Sequence, residues 1–300
     1  MELQKKGQFL GHNAAVYAIC AFKKQDHFLS TGGDGWIVEW DLNRPETGRL
    51  LAKTDANIFS MLYLNQKNWV VAGNMYGGLH WIDLNNAVNF KSVLHHEKGV
   101  FALALFNENE ILSLGGDGAL SKWDIENCRA TETLVLSNKS LRAIALHPSR
   151  NIMAVAASDS NIYLLDSDKL TVLQTIEKAH DNSVFSIQFS PDGKYLLSGG
   201  RDAYLRIWDS NKNFEELPTQ AAHLFTVNDI AFHPGGKIFA TASRDKSIRI
   251  WDAENFALLK VIDAIRYAGH LKSVNKLLWT TDALLSCSDD RSIIAWEVKI

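Results

Sequence analysis

Cysteine is scarce in this chain of 300 residues: Cys20, Cys128 and Cys287 are odd in number, far apart and without a CxxC pair. That spacing suits neither a disulfide framework nor a zinc site, so three reduced thiols are expected. The opening MELQKKGQFLGH lacks the apolar core of a secretory signal, and no run of about 18 apolar residues occurs. A protein of the cytoplasm is expected, or of the nucleus if its source is eukaryotic. An excess of positive charge is missing as well: 31 Lys and Arg stand against 34 Asp and Glu, a net charge of −3. Nothing global therefore draws the chain to nucleic acid or to an anionic membrane, and neither is expected as a partner. HExxH, GxSxG, a Walker loop and GxGxxG are all absent, so no metal, cofactor or catalytic residue is assigned.

What is present is repetition. GGDGWIVEWD ends at Asp41, GGDGALSKWD at Asp124, GGRDAYLRIWD at Asp209 and ASRDKSIRIWD at Asp252. Weaker copies end at Asp83, Asp166 and Glu297, so the intervals along the chain are 42, 41, 42, 43, 43 and 45. Within each copy apolar residues alternate with period two between turn residues, as Val38 and Trp40 do against Ile37, Glu39 and Asp41, which argues strands rather than helices. In repeat five the expected strands are residues 184 to 189, 195 to 199 and 204 to 208, with Ser190 to Gly193 a turn carrying proline at its second position. His147 and His233 occupy the matching turn of repeats four and six and are expected as surface turn residues.

Gly11-His12 and Gly269-His270, with Trp-Asp at Trp40, Trp123, Trp208 and Trp251, carry a resemblance to the WD40-repeat family over essentially all 300 residues. Ala179-His180 and Ala222-His223 keep only the histidine, and Trp296 precedes a glutamate. The resemblance implies an all-β, seven-bladed WD40-type β-propeller, four strands to a blade, with residues 1–300 forming a single domain. The segment from Leu3 to Phe9 precedes the first Gly-His, and the chain stops at Ile300 just after the last Trp-containing strand. The amino-terminal strand is therefore expected to complete the seventh blade and close the ring.

Serine, histidine and aspartate together suggest a nucleophilic triad, but here the set recurs. It reads His12, Ser30, Asp34 and Trp40 in repeat one; His180, Ser198, Asp202 and Trp208 in repeat five; His223, Thr241, Asp245 and Trp251 in repeat six; His270, Ser286, Asp290 and Trp296 in repeat seven. In repeat three His95 and His96 compete, and the offset of four residues from the strand's first apolar position, Val100, selects His96, with Ser113, Asp117 and Trp123. A constellation repeated around a ring is architecture. In the family it resembles, these four residues form a hydrogen-bonded chain. Repeat two has Thr54, Ala72, Tyr76 and Ile82 there, and repeat four has Ser137, Val155, Asp159 and Leu165. These two blades are expected to be held by apolar packing and by their neighbours.

The resemblance places function at the rim of the central channel. The residue after the first apolar position of each inner strand is Tyr17, Phe59, Phe101, Arg142, Phe185, Asn228 and Asn275. The residue before the turn aspartate, or its equivalent, is Gly33, Met75, Gly116, Ser158, Arg201, Arg244 and Asp289. Tyr17, Phe59, Met75, Phe101, Arg142, Phe185, Arg201 and Arg244 are thus the candidate partner-binding residues, with the composition of an interface hot spot. The competing possibilities are rings turned inward between blades and arginines that are solvated surface charge. The expected function is a non-catalytic scaffold for a protein or peptide, or alternatively a reader of a modified residue: methyl-lysine in an aromatic cage, or a phosphopeptide on the arginine cluster.

Overall fold

The computed structural model describes residues 1–86, 90–281 and 283–299, apart from the side chain of Gln25; Ile300 lies outside the described residues. Seven antiparallel sheets follow one another along the chain. The VFSIQF of repeat five shows why: alternating β-branched and aromatic residues form Val184–Phe189, the turn closes through Gly193 N–H to Ser190 C=O at 2.8 Å with Gly193 at φ 72°, and Tyr195–Gly200 returns. Tyr204–Asp209 then adds the third strand. The fourth strand of this blade is split into Glu215–Glu216 and Gln220–Ala221. Pro218, which has no N–H to give a ladder, lies between the two pieces.

The ring closes as the sequence implies. Glu2–Phe9 pairs antiparallel with Ile293–Lys299, from Glu2 opposite Lys299 to Phe9 opposite Ile293, and becomes the outermost strand of blade seven. Each inner strand packs beside the next, and that of blade seven, Val274–Trp279, lies against that of blade one, Val16–Phe22. The architecture is an all-β, seven-bladed propeller whose only helix among the described residues is α1 (Ala264–Tyr267). Asp263 caps α1 by accepting the Arg266 N–H. This turn of helix lies within the longest of the repeat intervals.

The period-two pattern does not separate buried from exposed residues, because both faces of each blade are covered. Ile37 packs toward blade two with Ile58, Val70 and Ile82, while its neighbour Val38 packs toward blade seven with Leu285 and Cys287. Seven apolar clusters result, one between each pair of adjacent blades, including seven and one. The core is thus a wheel of interfaces, and no blade has a hydrophobic interior of its own. Cys128 and Cys287 are buried and Cys20 half-buried, all as free thiols.

One irregularity recurs in all seven blades. The register between inner and second strands slips immediately after the first inner residue, so that Tyr17, Phe59, Phe101, Arg142, Phe185, Asn228 and Asn275 have no partner in the ladder. Such a bulge re-aims the extra side chain away from the pleat.

Candidate functional site

All seven bulged residues line one cavity of about 410 Å³, to which every inner strand contributes. This is the mouth of the central channel. Its aromatic residues are half-buried and lie against one another. Tyr17 meets Phe59 edge to face with ring centroids 5.5 Å apart, and Phe59 stacks on Phe101 at 5.5 Å with planes 6° apart. The Arg142 guanidinium continues the series, 4.3 Å from the Phe101 centroid and 4.9 Å from that of Phe185. Five consecutive blades thereby share one succession of π surfaces, with the Phe pair near the spacing of a favourable offset stack. The rings are neither free on the surface nor withdrawn between the blades.

Tyr17, Phe59 and Phe101 each lie against a glycine, Gly33, Gly99 and Gly116 respectively. A Cβ at Gly116 would come within 2.9 Å of the Phe101 ring, so glycine is what allows Phe101 to lie flat there. Gly99 gives Phe59 the same clearance, and its added Cβ would also meet the Met75 carbonyl at 3.2 Å. Met75 itself is half-buried. Ser158, the turn residue of blade four, accepts the Arg142 Nε–H at 2.8 Å. Burial, and then the charge of Arg201, lower the Arg142 pKa. The turns that hold the two cations are joined: the Ser183 hydroxyl donates to the Ser158 carbonyl at 3.2 Å, and the Ser183 carbonyl accepts the Arg201 N–H at 2.9 Å. Arg201 and Arg244 are exposed, and no contact joins Arg244 to the other two among the described residues.

The remaining two blades are polar. Asn228 Nδ2 donates to Ser273 Oγ at 2.9 Å and to the Val274 carbonyl at 2.8 Å; Asn275 Nδ2 donates to the Val16 carbonyl at 2.9 Å and to Asp289 at 2.8 Å. Burial and the nearby Asp289 raise the Tyr17 pKa, so the phenol stays protonated. Inside the mouth, Lys276 Nζ pairs with Asp229 at 2.7 Å, and the other Asp229 oxygen accepts the Leu277 N–H at 2.8 Å. This ion pair is absent from the sequence reading. Its signal is an aspartate and a lysine just after the bulge, where the other blades carry Ala18, Ser60, Ala102, Ala143 and Ser186.

The His, Ser or Thr, Asp and Trp residues form five hydrogen-bonded chains away from the mouth. In blade one His12 Nδ1 lies 2.8 Å from Asp34, His12 Nε2 lies 2.7 Å from Ser30 Oγ, and Trp40 Nε1 donates to the same oxygen at 2.7 Å. His96, His180, His223 and His270 reproduce the pattern with their own partners. The donors run one way: Trp N–H to hydroxyl, hydroxyl O–H to Nε2, Nδ1–H to carboxylate. A neutral imidazole therefore satisfies every group, as burial requires. Burial lowers the pKa of His96 and His223. Burial alone would raise the aspartates, but histidine and backbone N–H groups, joined at Asp245 and Asp290 by the Ser247 and Ser292 hydroxyls, outweigh it and hold Asp34, Asp117, Asp202, Asp245 and Asp290 below the usual carboxylate range. The hydroxyls of Ser30, Ser113, Ser198, Thr241 and Ser286 belong to fully buried residues, which removes them as nucleophiles.

Two expectations need correction. Blades two and four are not held by apolar packing alone. In blade four Asp159 accepts from Ser137 Oγ at 2.5 Å and from Tyr163 O–H at 2.6 Å. In blade two Asn74 accepts the Tyr76 and Gly78 N–H groups at 2.9 Å, and its amide joins His80 and through it Ser92. Thr54 bonds to the Gly35 and Ala56 carbonyls, while Ala72, Ile82, Val155 and Leu165 are apolar core. Nor is His147 a surface turn residue: it is buried, stacks edge to face on Phe189 at 4.9 Å and faces the Gly193 carbonyl of the next blade at 3.0 Å. Its Nδ1 accepts the Ser149 and Arg150 N–H groups, Arg150 Nε lies 3.0 Å from its Nε2, and burial, and then the charge of Arg150, lower its pKa. His233 is half-buried against Trp279, ring centroids 4.9 Å apart.

Comparison with known proteins agrees with this geometry. The family model described as WD domain, G-beta repeat matches residues 3–41, 170–209 and 214–252. The crystal structure of the WD40 beta propeller domain of Doa1 superposes with a TM-score of 0.87 over 99% of this chain and 97% of that one, at 20% identity, a likeness of fold. Curated relatives include WD repeat-containing protein 55 homolog of Dictyostelium discoideum, 25% identical over 163 residues, 54% of this chain and 36% of that protein. Pre-mRNA-processing factor 17 of Homo sapiens is 26% identical over 202 residues, 64% of this chain and 34% of that protein. The matched stretch thus spans about a third of each relative's length. The chain is thus a seven-bladed β-propeller that carries WD repeats in the matched segments. Propellers of this family are generally non-catalytic platforms for proteins or peptides.

Proposed function

We propose that this propeller is a non-catalytic interaction scaffold that docks an extended peptide or loop of a partner protein on the channel mouth. Tyr17, Phe59, Met75, Phe101 and Phe185 supply the contact surface, with Arg142, Arg201 and Arg244 beside it. The observation that carries this reading is the succession of half-exposed rings on blades one, two, three and five, joined through the Arg142 guanidinium of blade four. Rigid aromatic side chains already ordered by one another lose little entropy on binding and bury large area, the composition found at interface hot spots.

A methyl-lysine cage is poorly served by this arrangement. The Arg142 guanidinium already lies over Phe101 and Phe185, and a second cation there would meet a like charge. The test is a Phe59→Ala/Phe101→Ala double variant compared with the wild type in affinity purification from the source cell. A folded variant should lose its partners, with affinity reduced more than about tenfold. Retention of the same partners at the same affinity would remove the reading.

A further inference from the structure

The positive charge at the mouth is unanswered. Arg142 uses its Nε on Ser158, and its guanidinium carbon lies over the rings of both Phe101 and Phe185, which holds the group in place. Its two Nη atoms make no hydrogen bond, and neither Arg142 nor Arg201 has an ion-pair partner, among the described residues. Arg201 stands at the tight turn of the adjacent blade, exposed, its backbone N–H held by the Ser183 carbonyl at 2.9 Å. The mouth's carboxylates are on other blades and already engaged, Asp289 by Asn275 and Asp229 by Lys276. A half-buried guanidinium beside a second cation, without a counter-ion, is costly in the empty protein and is relieved by an arriving anion.

We propose that Arg142 and Arg201 form an oxyanion subsite of the channel mouth, which receives a carboxylate or phosphate side chain of the docked peptide. The proposal rests on the peptide-docking reading above and specifies its anchor. The free Nη edge of a guanidinium held in place presents parallel N–H groups, the geometry that pairs bidentately with carboxylate or phosphate. The aromatic succession begins at the same guanidinium, so an apolar residue next to the anion would rest on Phe101 and Phe59. A phosphate dianion neutralises both cations and a carboxylate only one of them, so phosphate is expected to bind more tightly.

Phenyl phosphate, benzoate and neutral benzamide, each joining a ring to one head group, are the probes, titrated by calorimetry into wild type, Arg201→Gln and Arg142→Lys. Arg201 is exposed, so its variant keeps the fold even if Arg142→Lys does not. Phenyl phosphate should bind saturably and at least about tenfold more weakly to each variant, while benzamide shows no saturable binding. Benzoate near phenyl phosphate in affinity would assign a carboxylate ligand, and benzoate far weaker would assign a phosphate. Oxyanions binding wild type and Arg201→Gln alike, or no better than benzamide, would overturn the subsite. If that occurs while the Phe59→Ala/Phe101→Ala variant loses its partners, the docking reading stands without it. If the aromatic variant keeps its partners while Arg201→Gln loses phenyl phosphate, the subsite stands and the docking reading falls.

Discussion

Replacing Phe9 by alanine tests whether the ring's closure carries its stability. Phe9 is 1% exposed, lies 5.1 Å from Phe28 and 5.7 Å from Trp40 between ring centroids, and pairs with Ile293 in the outermost ladder of blade seven. It therefore joins the closing strand to the core between blades seven and one. Emptying such a site costs about 3–5 kcal/mol. With an unfolding entropy of about 2.1 cal/mol/K per residue, a chain of 300 residues loses roughly 5–8 °C of Tm for that cost. Removing residues 1–9 altogether also takes away the ladder from Glu2 to Phe9, roughly 1 kcal/mol net for each of its hydrogen bonds. The sum approaches the whole stability of an ordinary domain, about 5–15 kcal/mol. The truncated chain should lose its cooperative melting transition, and a synthetic peptide of residues 1–9 added in excess should restore it. Calorimetry and circular dichroism measure both effects. A Phe9→Ala protein melting within about 1 °C of wild type, or a truncated chain with an unchanged cooperative transition, would refute the role given to this strand.

Two further outcomes follow from the buried polar chains. Acidification should destabilise the fold in two stages: the unfolded chain takes up protons on histidine below about pH 6.5 while His96 and His223 resist, and on aspartate below about pH 4 while the five turn aspartates resist. In each window the unfolded state binds more protons, so the urea midpoint should fall from pH 7 to pH 5 and again below pH 4; a midpoint that rises between pH 7 and pH 5 would contradict neutral buried histidines. Amide exchange should be faster in the second strands of blades two and four, Trp69–Asn74 and Ile152–Ala157, than in Tyr195–Gly200 and Ile238–Ser243. One or two missing buried hydrogen bonds correspond to about 5- to 30-fold less protection, and equal or greater protection there would contradict the argument.

Much of the fold is legible because its signals are local and repeated. The intervals between Trp-Asp ends give the blades, and the four-residue offset from histidine to the inner strand is enough to choose His96 over His95. His95 instead bonds to Ser121 Oγ at 2.8 Å. The substitute networks of blades two and four were hidden because Asn74 and Tyr163 each stand two residues before a position the repeat marks, Tyr76 and Leu165. Trp81 stands one residue before the position that the repeat marks, Ile82, and so must face the opposite side of the sheet. There it meets Trp123 at 6.0 Å, its Nε1 without a partner. The burial of His147 depends on the neighbouring blade's Gly193 and Phe189, and the Arg142 stack on two different blades, so neither is written in any one repeat.

The bulge explains how one fold can keep its stability and vary its mouth. A residue outside the ladder contributes no backbone pairing at its own position, so its side chain can change without altering register. The inter-blade clusters and the buried polar chains, which do fix register and packing, are built from other positions, such as Val16, Ile37 and Trp40 in blade one. The seven bulged positions are accordingly occupied by residues as unlike as phenylalanine, arginine and asparagine around a single ring. Closure alone brings them together, since residues 17 and 275 are near in space only because Asn275 reaches the Val16 carbonyl across the joint between blades seven and one. Loss of closure should therefore abolish docking at the mouth even though Phe9 does not line it, whereas substitution at the mouth should leave melting nearly unchanged.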